Sequence, residues 1–416
     1  MTDAFILGGN RIPFGRIGGA YRAVTNQDMF TAALDGLIAR TGLAGEQLGE
    51  VAGGAVLKHA ADFNLTRESV LGTSLDPHTP AIDLQKACAT GLETLNVIAS
   101  KIRLGQISSG IAGGVDSASD APIEISDSLR AKLHRLSRAK TPMQRVKLVG
   151  ELRPKDFAPQ APRNSEPRTG LSMGEHQAIT TREFGITREA QDQLALESHQ
   201  KLAAAYERGF FDDLMTGYRG LGRDEFLRPD TTLEKLGSLR TVFGREDATM
   251  TAGNSTGLSD GASAVLLGTA EWANERGLSP LARVVDVRAA AVDFVHGEEG
   301  LLMAPVSALP ALLDANGLSA EDIDVFEVHE AFAATVLCTL QAWAERGIEM
   351  PRQKLNPLGS SLAAGHPFAA TGGRIAASLA KQLRQAADES GSVKRGVISV
   401  CAASGQGVVA LLEASV

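Results

Sequence analysis

The chain has 416 residues, of which 44% are hydrophobic and 22% charged, and it carries a formal net charge of -8 at pH 7. This length is too great for one simple core and predicts two or three domains, while the composition is that of an ordinary globular enzyme. The acidic balance argues against a general nucleic-acid-binding protein. Three cysteines are too few for a disulfide framework, which indicates a reducing compartment.

The first part of the chain alternates short apolar strands with helical patterns. Residues 4–8 predict a first strand directly after Met-Thr-Asp, so we expect no signal peptide. An apolar strand over 81–84 leads through a turn containing Cys88 into an amphipathic helix over 92–104. A buried strand over 111–115 follows, which is the order of a βα unit.

The central part of the chain has few strand patterns, many charges and several prolines. We predict that residues 121–250 form a mainly helical domain inserted in the first half. The predicted helices cover residues 126–138, 142–152, 172–184 and 188–208. Thr187 is the expected N-cap of the last of these helices. A strand over 262–267 then closes the first half.

The end of the chain repeats an earlier pattern. Ala-Thr-Gly at 370–372 matches the same triplet at 89–91, and it too precedes a helical run, 374–383, and a buried strand, 397–400. Chance is the alternative, because this tripeptide is common. The matched helix and strand favour a duplication, with two α/β halves that each contain a mostly parallel sheet covered by helices.

The second half also contains an apolar strand over 324–328 and an apolar run over 331–344. That run contains Thr and Gln and is too short to span a bilayer, so we predict a buried helix. The expected domains are 1–120 completed by 251–271, the inserted 121–250, and 272–416.

Cys88 stands where a strand turns into a helix. A thiolate there lies near the positive end of the helix and near free backbone N–H groups, which would increase its ionised fraction. The alternative is a buried structural cysteine, and Cys338 fits that description because it lies within an apolar helix.

Two histidines stand in settings that fix an imidazole. His366 lies between Gly365 and Pro367, a rigid frame for a base that takes the proton of Cys88, although an isolated Gly-His-Pro is usually a loop. His329 follows a strand end, where α/β domains contact ligands. The absence of His-x-x-x-His and Cys-x-x-Cys gives a zinc site little support, so we expect no metal.

Seven segments carry a pattern that extends over nearly the whole chain. They are Arg11-Ile-Pro-Phe14, Lys86-Ala-Cys-Ala-Thr-Gly91, Ser172-Met-Gly-Glu175, the Thr251–Gly261 segment, His329-Glu-Ala-Phe-Ala333, the Asn356–Gly372 segment and the Cys401–Gly407 segment. In this order they resemble the thiolase family. The most similar subgroup is the thiolase (β) subunit of fatty-acid oxidation trifunctional complexes. That subgroup has His before Glu-Ala-Phe, Phe after Gly-His-Pro, and an insertion that residues 123–163 match.

The resemblance implies thiolase-like duplicated α/β halves, layered α-β-α-β-α, with a mainly helical loop domain in the first half. It implies an acyltransferase of β-oxidation and lipid metabolism, a 3-ketoacyl-CoA thiolase or acetyl-CoA acetyltransferase. Cys88 would attack the 3-ketoacyl-CoA, His366 would take its proton, and Cys401 would protonate the departing acetyl-CoA carbanion. A second CoA then takes the acyl group, and the reverse reaction is a Claisen condensation.

The resemblance also implies two oxyanion holes. One uses His366 and a water positioned by His329, and the other uses the backbone N–H groups of Cys88 and Ala403. Ala403 and Ser404 stand where many thiolases have Gly. CoA and acyl-CoA are substrates, and no bound cofactor is expected. The implied CoA and substrate contacts are Ser172, Met173, Arg228, Thr256 and Gly405.

The resemblance further implies a cytoplasmic homodimer or homotetramer and a trifunctional-type partner, an enoyl-CoA hydratase/3-hydroxyacyl-CoA dehydrogenase. Between residues 130 and 155 stand nine Lys or Arg against one acid, Glu151. Leu129, Leu133 and Leu136 lie on one helical face. The basic insertion 123–163 therefore predicts docking to that partner or to a membrane surface. The alternative is a solvated hairpin packed on its own domain.

Two rival functions follow from the same residues. A decarboxylating ketosynthase shares the fold implied by the resemblance but uses Cys-His-His, whereas the third position here is Cys401. A redox sensor or inactive scaffold would use the Cys88–Cys401 pair without catalysis, but the intact Cys, His and Cys positions weigh against it.

Overall fold

The structure is a computed structural model that describes residues 2–244 and 248–415. Outside the described residues lie residue 1, residues 245–247 and residue 416. They belong to the expected segments 1–120, 121–250 and 272–416, respectively. The strands are β1 Phe5–Arg11, β2 Gly15–Arg16, β3 Glu50–Gly53, β4 Ala81–Asp83, β5 Ser109–Ser117, β6 Thr241–Phe243, β7 Met250–Thr251, β8 Ser259–Gly268, β9 Ala282–Ala291, β10 Val325–Val328, β11 Lys394–Ala402 and β12 Gln406–Ala414.

The helices are α1 Asn26–Thr41, α2 Leu65–Leu71, α3 Thr90–Arg103, α4 Asp127–Ser137, α5 Pro142–Gly150, α6 Met173–Glu183, α7 Arg188–Glu207, α8 Leu233–Gly237, α9 Ala270–Asn274, α10 Pro305–Asn316, α11 Ala333–Ala344, α12 Ser361–Ala364 and α13 Ala370–Ser390. Short 3-10 turns lie at Ala60–Asp62, Pro154–Phe157, Ala320–Asp322 and Arg352–Lys354. The four helices predicted for the inserted region correspond to α4, α5, α6 and α7. The side chain of Thr187 caps α7, as predicted, by accepting a hydrogen bond from the Ala190 N–H.

One large sheet runs through both halves in the order β10-β11-β12-β9-β1-β8-β5-β3-β4, with β2 beside β8. The halves meet where Phe5 and Ile6 of β1 pair antiparallel with Arg283 and Ala282 of β9. The prediction of mostly parallel sheets was wrong, because among the strand pairs of the described residues only β3–β4, β3–β5 and β10–β11 are parallel. A tight turn joins β11 to β12, and such a connection permits only antiparallel strands.

The two halves repeat one topology. Strand β5 lies between β3 and β8 as β11 lies between β10 and β12, and helices α3 and α13 precede β5 and β11. Asp116 of β5 pairs with Gly261, and Cys401 of β11 pairs with Gly407, at the same position along each strand pair. Asp116 and Cys401 are therefore equivalent, and the matched Ala-Thr-Gly triplets make Cys88 equivalent to Ala369.

Three of the apolar clusters of the core define five layers. One cluster joins α1 to an outer face of the sheet, one joins α10 and α11 to the other outer face, and the central one surrounds α3 and α13 between the halves. These two helices approach closely, since a Cβ on Gly91 would lie 2.5 Å from the carbonyl oxygen of Ala369. The predicted α-β-α-β-α layering is confirmed.

The basic insertion forms an antiparallel hairpin of α4 and α5 whose apolar faces differ from the prediction. Leu129 is 7% exposed and packs inward, so the leucines of α4 do not share one exposed face. Met143, Val146 and Val149 of α5 are exposed instead, and they recur at helical spacing among basic residues. Within the described residues, no helix is long and apolar enough to cross a membrane.

Candidate functional site

Cys88 occupies a strained turn between β4 and α3. Ala87, just before it, has a φ of 45°, in the left-handed region that non-glycine residues seldom adopt. The Thr90 hydroxyl holds this turn, because its Oγ1 accepts the Lys86 N–H at 2.8 Å and donates to the Ala87 carbonyl at 2.7 Å. The turn thereby presents the Cys88 sulfur at the start of α3, as the sequence predicted.

The thiol of Cys88 is not ionised at rest. Burial, followed by the negative charge of nearby Asp116, raises the pKa of Cys88 to about 12, although the neighbouring Ala403 backbone N–H opposes this shift. The expectation that the helix start would increase the ionised fraction was wrong, because desolvation of the thiolate outweighs the backbone donors. Attack by this sulfur must therefore be coupled to removal of its proton.

Cys401 lies beside Cys88 at the end of β11. Burial, and then the neighbouring Cys88 sulfur, raises the pKa of the Cys401 thiol. Its side chain packs in an apolar cluster with Met250, Phe332 and the partly buried Met173. The structure thus brings two protonated thiols from opposite halves of the chain together against an apolar wall.

His366 is held by its backbone and by one ring nitrogen. Gly365 before it has a φ of 96°, and the His366 N–H donates to Ser259 Oγ at 3.0 Å. The ring Nδ1 lies 2.6 Å from Thr371 Oγ1, while Nε2 is buried without a hydrogen-bond partner among residues 2–244 and 248–415. Burial, followed by the charge of Arg374, lowers the pKa of His366 to about 3, so the imidazole is neutral.

His329 packs against His366, with the ring centroids 4.1 Å apart. Its Nδ1 lies 2.8 Å from Ser361 Oγ, and Arg374 donates to that same oxygen at 3.0 Å. Because the guanidinium can only donate, the Ser361 hydroxyl proton is free to point at Nδ1, and in that arrangement the proton of His329 is on Nε2. Burial, followed by electrostatic coupling to the adjacent ring of His366, lowers the pKa of His329 well below its usual value.

Sequence reasoning missed the residues that position the cysteines and histidines of the site. Asp116 accepts backbone N–H groups from Val56, Leu57 and Ala369, and so ties the start of α13 to β5. Arg374 and Ser361 were also missed, although Ser361 lies within a motif that carried the resemblance. Arg374 could have been identified from its charge, because it stands in the otherwise apolar middle layer of the fold.

The predicted substrate contacts have different surroundings. Met173 borders the apolar cluster of Cys401, and Gly405, with a φ of 69°, follows the turn that carries Ala403. Thr256 Oγ1 donates to the Ala331 carbonyl at 3.1 Å. Ser172 caps α6 together with Glu175, and Arg228 is exposed. In the part of the chain that the structure describes, no group of three or more His, Cys, Asp or Glu is arranged to hold a metal ion.

The chain matches two family descriptions that together cover most of its length. Residues 4–271 match the N-terminal domain of thiolase, and residues 278–414 match the C-terminal domain of thiolase. The 3-ketoacyl-CoA thiolase of Yersinia enterocolitica is 36% identical over 98% of this chain and 96% of its own length. The 3-ketoacyl-CoA thiolase of Pectobacterium carotovorum is 37% identical over 98% of this chain and 95% of its own.

Solved structures of similar proteins have the same fold. The acetyl-CoA acetyltransferase of Bacillus anthracis superposes with a TM-score of 0.84 at 30% identity, covering 99% of both chains. Human mitochondrial 3-ketoacyl-CoA thiolase in complex with CoA superposes with a TM-score of 0.83 at 28% identity, covering 100% of this chain and 98% of the other.

Proposed function

The chain belongs to the thiolase family, and on that premise we propose that Cys88, His366 and Cys401 are the nucleophile, the base and the α-carbon acid of a 3-ketoacyl-CoA thiolase. The reaction is thiolytic cleavage of a 3-ketoacyl-CoA to acetyl-CoA and a shortened acyl-CoA, or its reversal. These residue roles rest on one observation, which is that the thiols of Cys88 and Cys401 lie side by side near the Ala403 backbone N–H. Because CoA thioesters are the substrates, this chemistry needs no bound cofactor.

The first step is attack of the Cys88 sulfur on the 3-keto carbon. His366 can accept the thiol proton at Nε2 when its Nδ1–H donates to Thr371, whose hydroxyl lies 3.4 Å from the Pro367 carbonyl and can donate there. The oxyanion that forms accepts the backbone N–H groups of Cys88 and Ala403. A donor of this kind is typically worth about 3 kcal/mol in the transition state.

The second step breaks the Cα–Cβ bond and leaves an acyl-Cys88 thioester and the enolate of acetyl-CoA. The enolate oxygen accepts the newly protonated Nε2–H of His366 and a water held by His329. Cys401 gives its proton to the α-carbon, and acetyl-CoA leaves. A CoA thiol then attacks the acyl group, losing its proton to the Cys401 thiolate, and Cys88 regains its proton from His366.

Cys401→Ala is expected to separate the two steps. The variant should still form acyl-Cys88 from an acyl-CoA donor, because Cys88 and His366 remain and the departing CoA thiolate can take its proton from solvent instead of from Cys401. It should lose exchange of the methyl protons of acetyl-CoA with solvent deuterium by about 100-fold or more, since a positioned acid or base typically contributes that much. Mass spectrometry of the Cys88 peptide and proton NMR of acetyl-CoA measure the two events. Exchange at the wild-type rate would exclude Cys401 as the α-carbon base.

Turnover with malonyl thioesters but not with acetyl-CoA would favour the ketosynthase alternative. Finding neither cysteine reactive towards a thiol reagent would favour the scaffold. Both thiols must stay reduced for the proposed chemistry, which supports a cytoplasmic location. We also retain the expected homodimer or homotetramer as part of the proposal.

The α4–α5 hairpin is proposed to dock on an anionic lipid surface. Its support is the exposed apolar side chains of α5, led by Met143 at 79% exposure, among the basic residues of the insertion. Apolar side chains that enter the lipid boundary and cations that meet anionic headgroups stabilise such binding together.

Flotation with anionic vesicles at low salt is expected to recover the wild-type protein. Recovery should fall for Met143→Ser/Val146→Ser, while a matched control on another exposed residue, Leu104→Ser, should behave as wild type. Failure of the wild type to float would exclude the lipid surface. Co-purification with an enoyl-CoA hydratase/3-hydroxyacyl-CoA dehydrogenase would then assign the hairpin to that partner, and its absence would leave a structural hairpin.

A further inference from the structure

A carboxylate from the inserted domain reaches the turn that presents the Ala403 N–H. Glu166 is 4% exposed, and its Oε1 accepts the Ser404 N–H at 2.7 Å. The partners stand far apart in the sequence, since Glu166 precedes α6 and Ser404 lies between β11 and β12. A buried carboxylate that contacts this turn is not explained by the roles of Cys88, His366 and Cys401.

The loop that carries Glu166 is rigid. The Glu166 N–H donates to the Leu171 carbonyl at 2.8 Å, and the Gly170 N–H donates to the Glu166 carbonyl at 2.8 Å, which closes the loop on itself. Thr169 Oγ1 lies 2.7 Å from Nε2 of His176 in α6 and ties the loop to that helix. Glu166 therefore offers Ser404 a fixed acceptor.

The contacted turn needs such an acceptor. Ser404 has a φ of 64°, in the left-handed region where a Cβ is unfavourable and where glycine carries no such cost. Ala403 lies immediately before it, and its backbone N–H lies near the Cys88 sulfur. The Ser404 N–H that Glu166 accepts lies in the 403–404 peptide, which adjoins the peptide that carries the Ala403 N–H. If Ser404 relaxed out of the left-handed region, the 403–404 peptide would rotate, and compensating rotations at Ala403 would displace its N–H.

We propose that Glu166 is a positioning residue for acyl transfer, which holds Ser404 in its left-handed conformation and so aims the Ala403 N–H at the sulfur of Cys88. The inference rests on the proposed function, because it assigns the Ala403 N–H to the oxyanion of Cys88 chemistry. It makes the inserted domain a structural part of the reaction centre rather than only a cover over it.

A double-substitution experiment tests this role. Glu166→Ala is expected to lower kcat for acetoacetyl-CoA thiolysis by about tenfold or more, with KM within about twofold, because a misaimed oxyanion donor affects the transition state more than substrate binding. Glu166→Gln keeps an acceptor oxygen and should retain most activity. Ser404→Gly should be near wild type, and adding it to Glu166→Ala should restore kcat, since glycine adopts the left-handed conformation without help.

A second measurement keeps this proposal separate from the proposed function. Alkylation of Cys88 by iodoacetamide at fixed pH, followed by peptide mass spectrometry, needs no substrate and should slow in Glu166→Ala and recover in the double variant. Unchanged kcat and alkylation in Glu166→Ala, or a loss that Ser404→Gly does not relieve, would overturn the role of Glu166. Absence of acyl-Cys88 in the wild type would instead overturn the proposed function.

A third variant covers the case in which Glu166→Ala does not fold. Ser404→Val keeps Glu166 but makes the left-handed conformation costlier, because a β-branched side chain tolerates it poorly. It should reproduce the loss of kcat with KM little changed. Wild-type kcat in a folded Ser404→Val protein would overturn the proposal.

Discussion

Replacing Cys88 by alanine is expected to abolish thiolysis, with kcat reduced by roughly 10⁴-fold or more, because no other group can carry the acyl chain between the two CoA molecules. The fold should survive, since a thiol-to-methyl change is small and the Cys88 side chain is only partly buried. Absorbance of the acetoacetyl-CoA enolate measures turnover. Mass spectrometry after incubation with acetyl-CoA should place the acetyl group of the wild type on Cys88.

Cys338→Ala is the matched control for this experiment. Cys338 is buried in α11 and contacts Gln177 and Thr180, away from the apolar cluster that holds Cys401. This variant should acylate on Cys88 and turn over at the wild-type rate. An acetyl group found on Cys338 or Cys401 in the wild type would show that the nucleophile has been misassigned.

His366→Asn is expected to lower kcat far more than His329→Asn does. An amide at 366 has no basic nitrogen, so the Cys88 proton, held by a group whose pKa is raised to about 12, would lose its acceptor. A loss of about 10³-fold is the usual scale for a general base. At 329 an amide N–H can still hold the oxyanion water, so a loss of about tenfold is expected.

The two asparagine variants control for each other, because both remove a buried imidazole from the same ring pair. Thermal unfolding of each should be compared first, so that kcat is measured on folded protein. Pre-steady-state acylation by acetyl-CoA then separates the roles, because this transfer breaks no carbon–carbon bond. His366→Asn should slow formation of acetyl-Cys88, while His329→Asn should slow only the carbon–carbon cleavage of acetoacetyl-CoA. Equal losses in both variants would contradict this division of roles.

Much of the fold was predictable from local patterns. The strand-turn-helix unit around Cys88 was visible because apolar strand residues, small turn residues and an amphipathic helix follow one another. The duplication was visible because α13 and β11 repeat the order of α3 and β5. These are short-range signals, and each depends on residues that are neighbours in the sequence.

The features that sequence reasoning missed depend on long-range packing. The direction of β8 beside β5 is set across the inserted domain, and no local pattern encodes it. The chain from Arg374 through Ser361 to His329 joins two helices to a strand end. The raised pKa of Cys88 follows from desolvation of its thiol by segments that are distant in the sequence. The strand direction, the contacts of His329 and the pKa of Cys88 are therefore set only when distant parts of the chain pack together.

The fold offers the location of the cysteine pair twice, and the chain uses the two locations differently. In one, Cys88 meets Cys401; in its topological counterpart the same turn and strand positions hold Ala369 and Asp116, and the Ala369 N–H donates to the carboxylate at 2.8 Å. This counterpart carries no thiol, and its carboxylate serves as a structural contact. The contact between Asp116 and the Ala369 N–H fixes the backbone three residues beyond His366. The two halves of the fold are therefore nearly symmetric but not equivalent in function, because one location holds the reacting cysteines and the other fixes the position of His366.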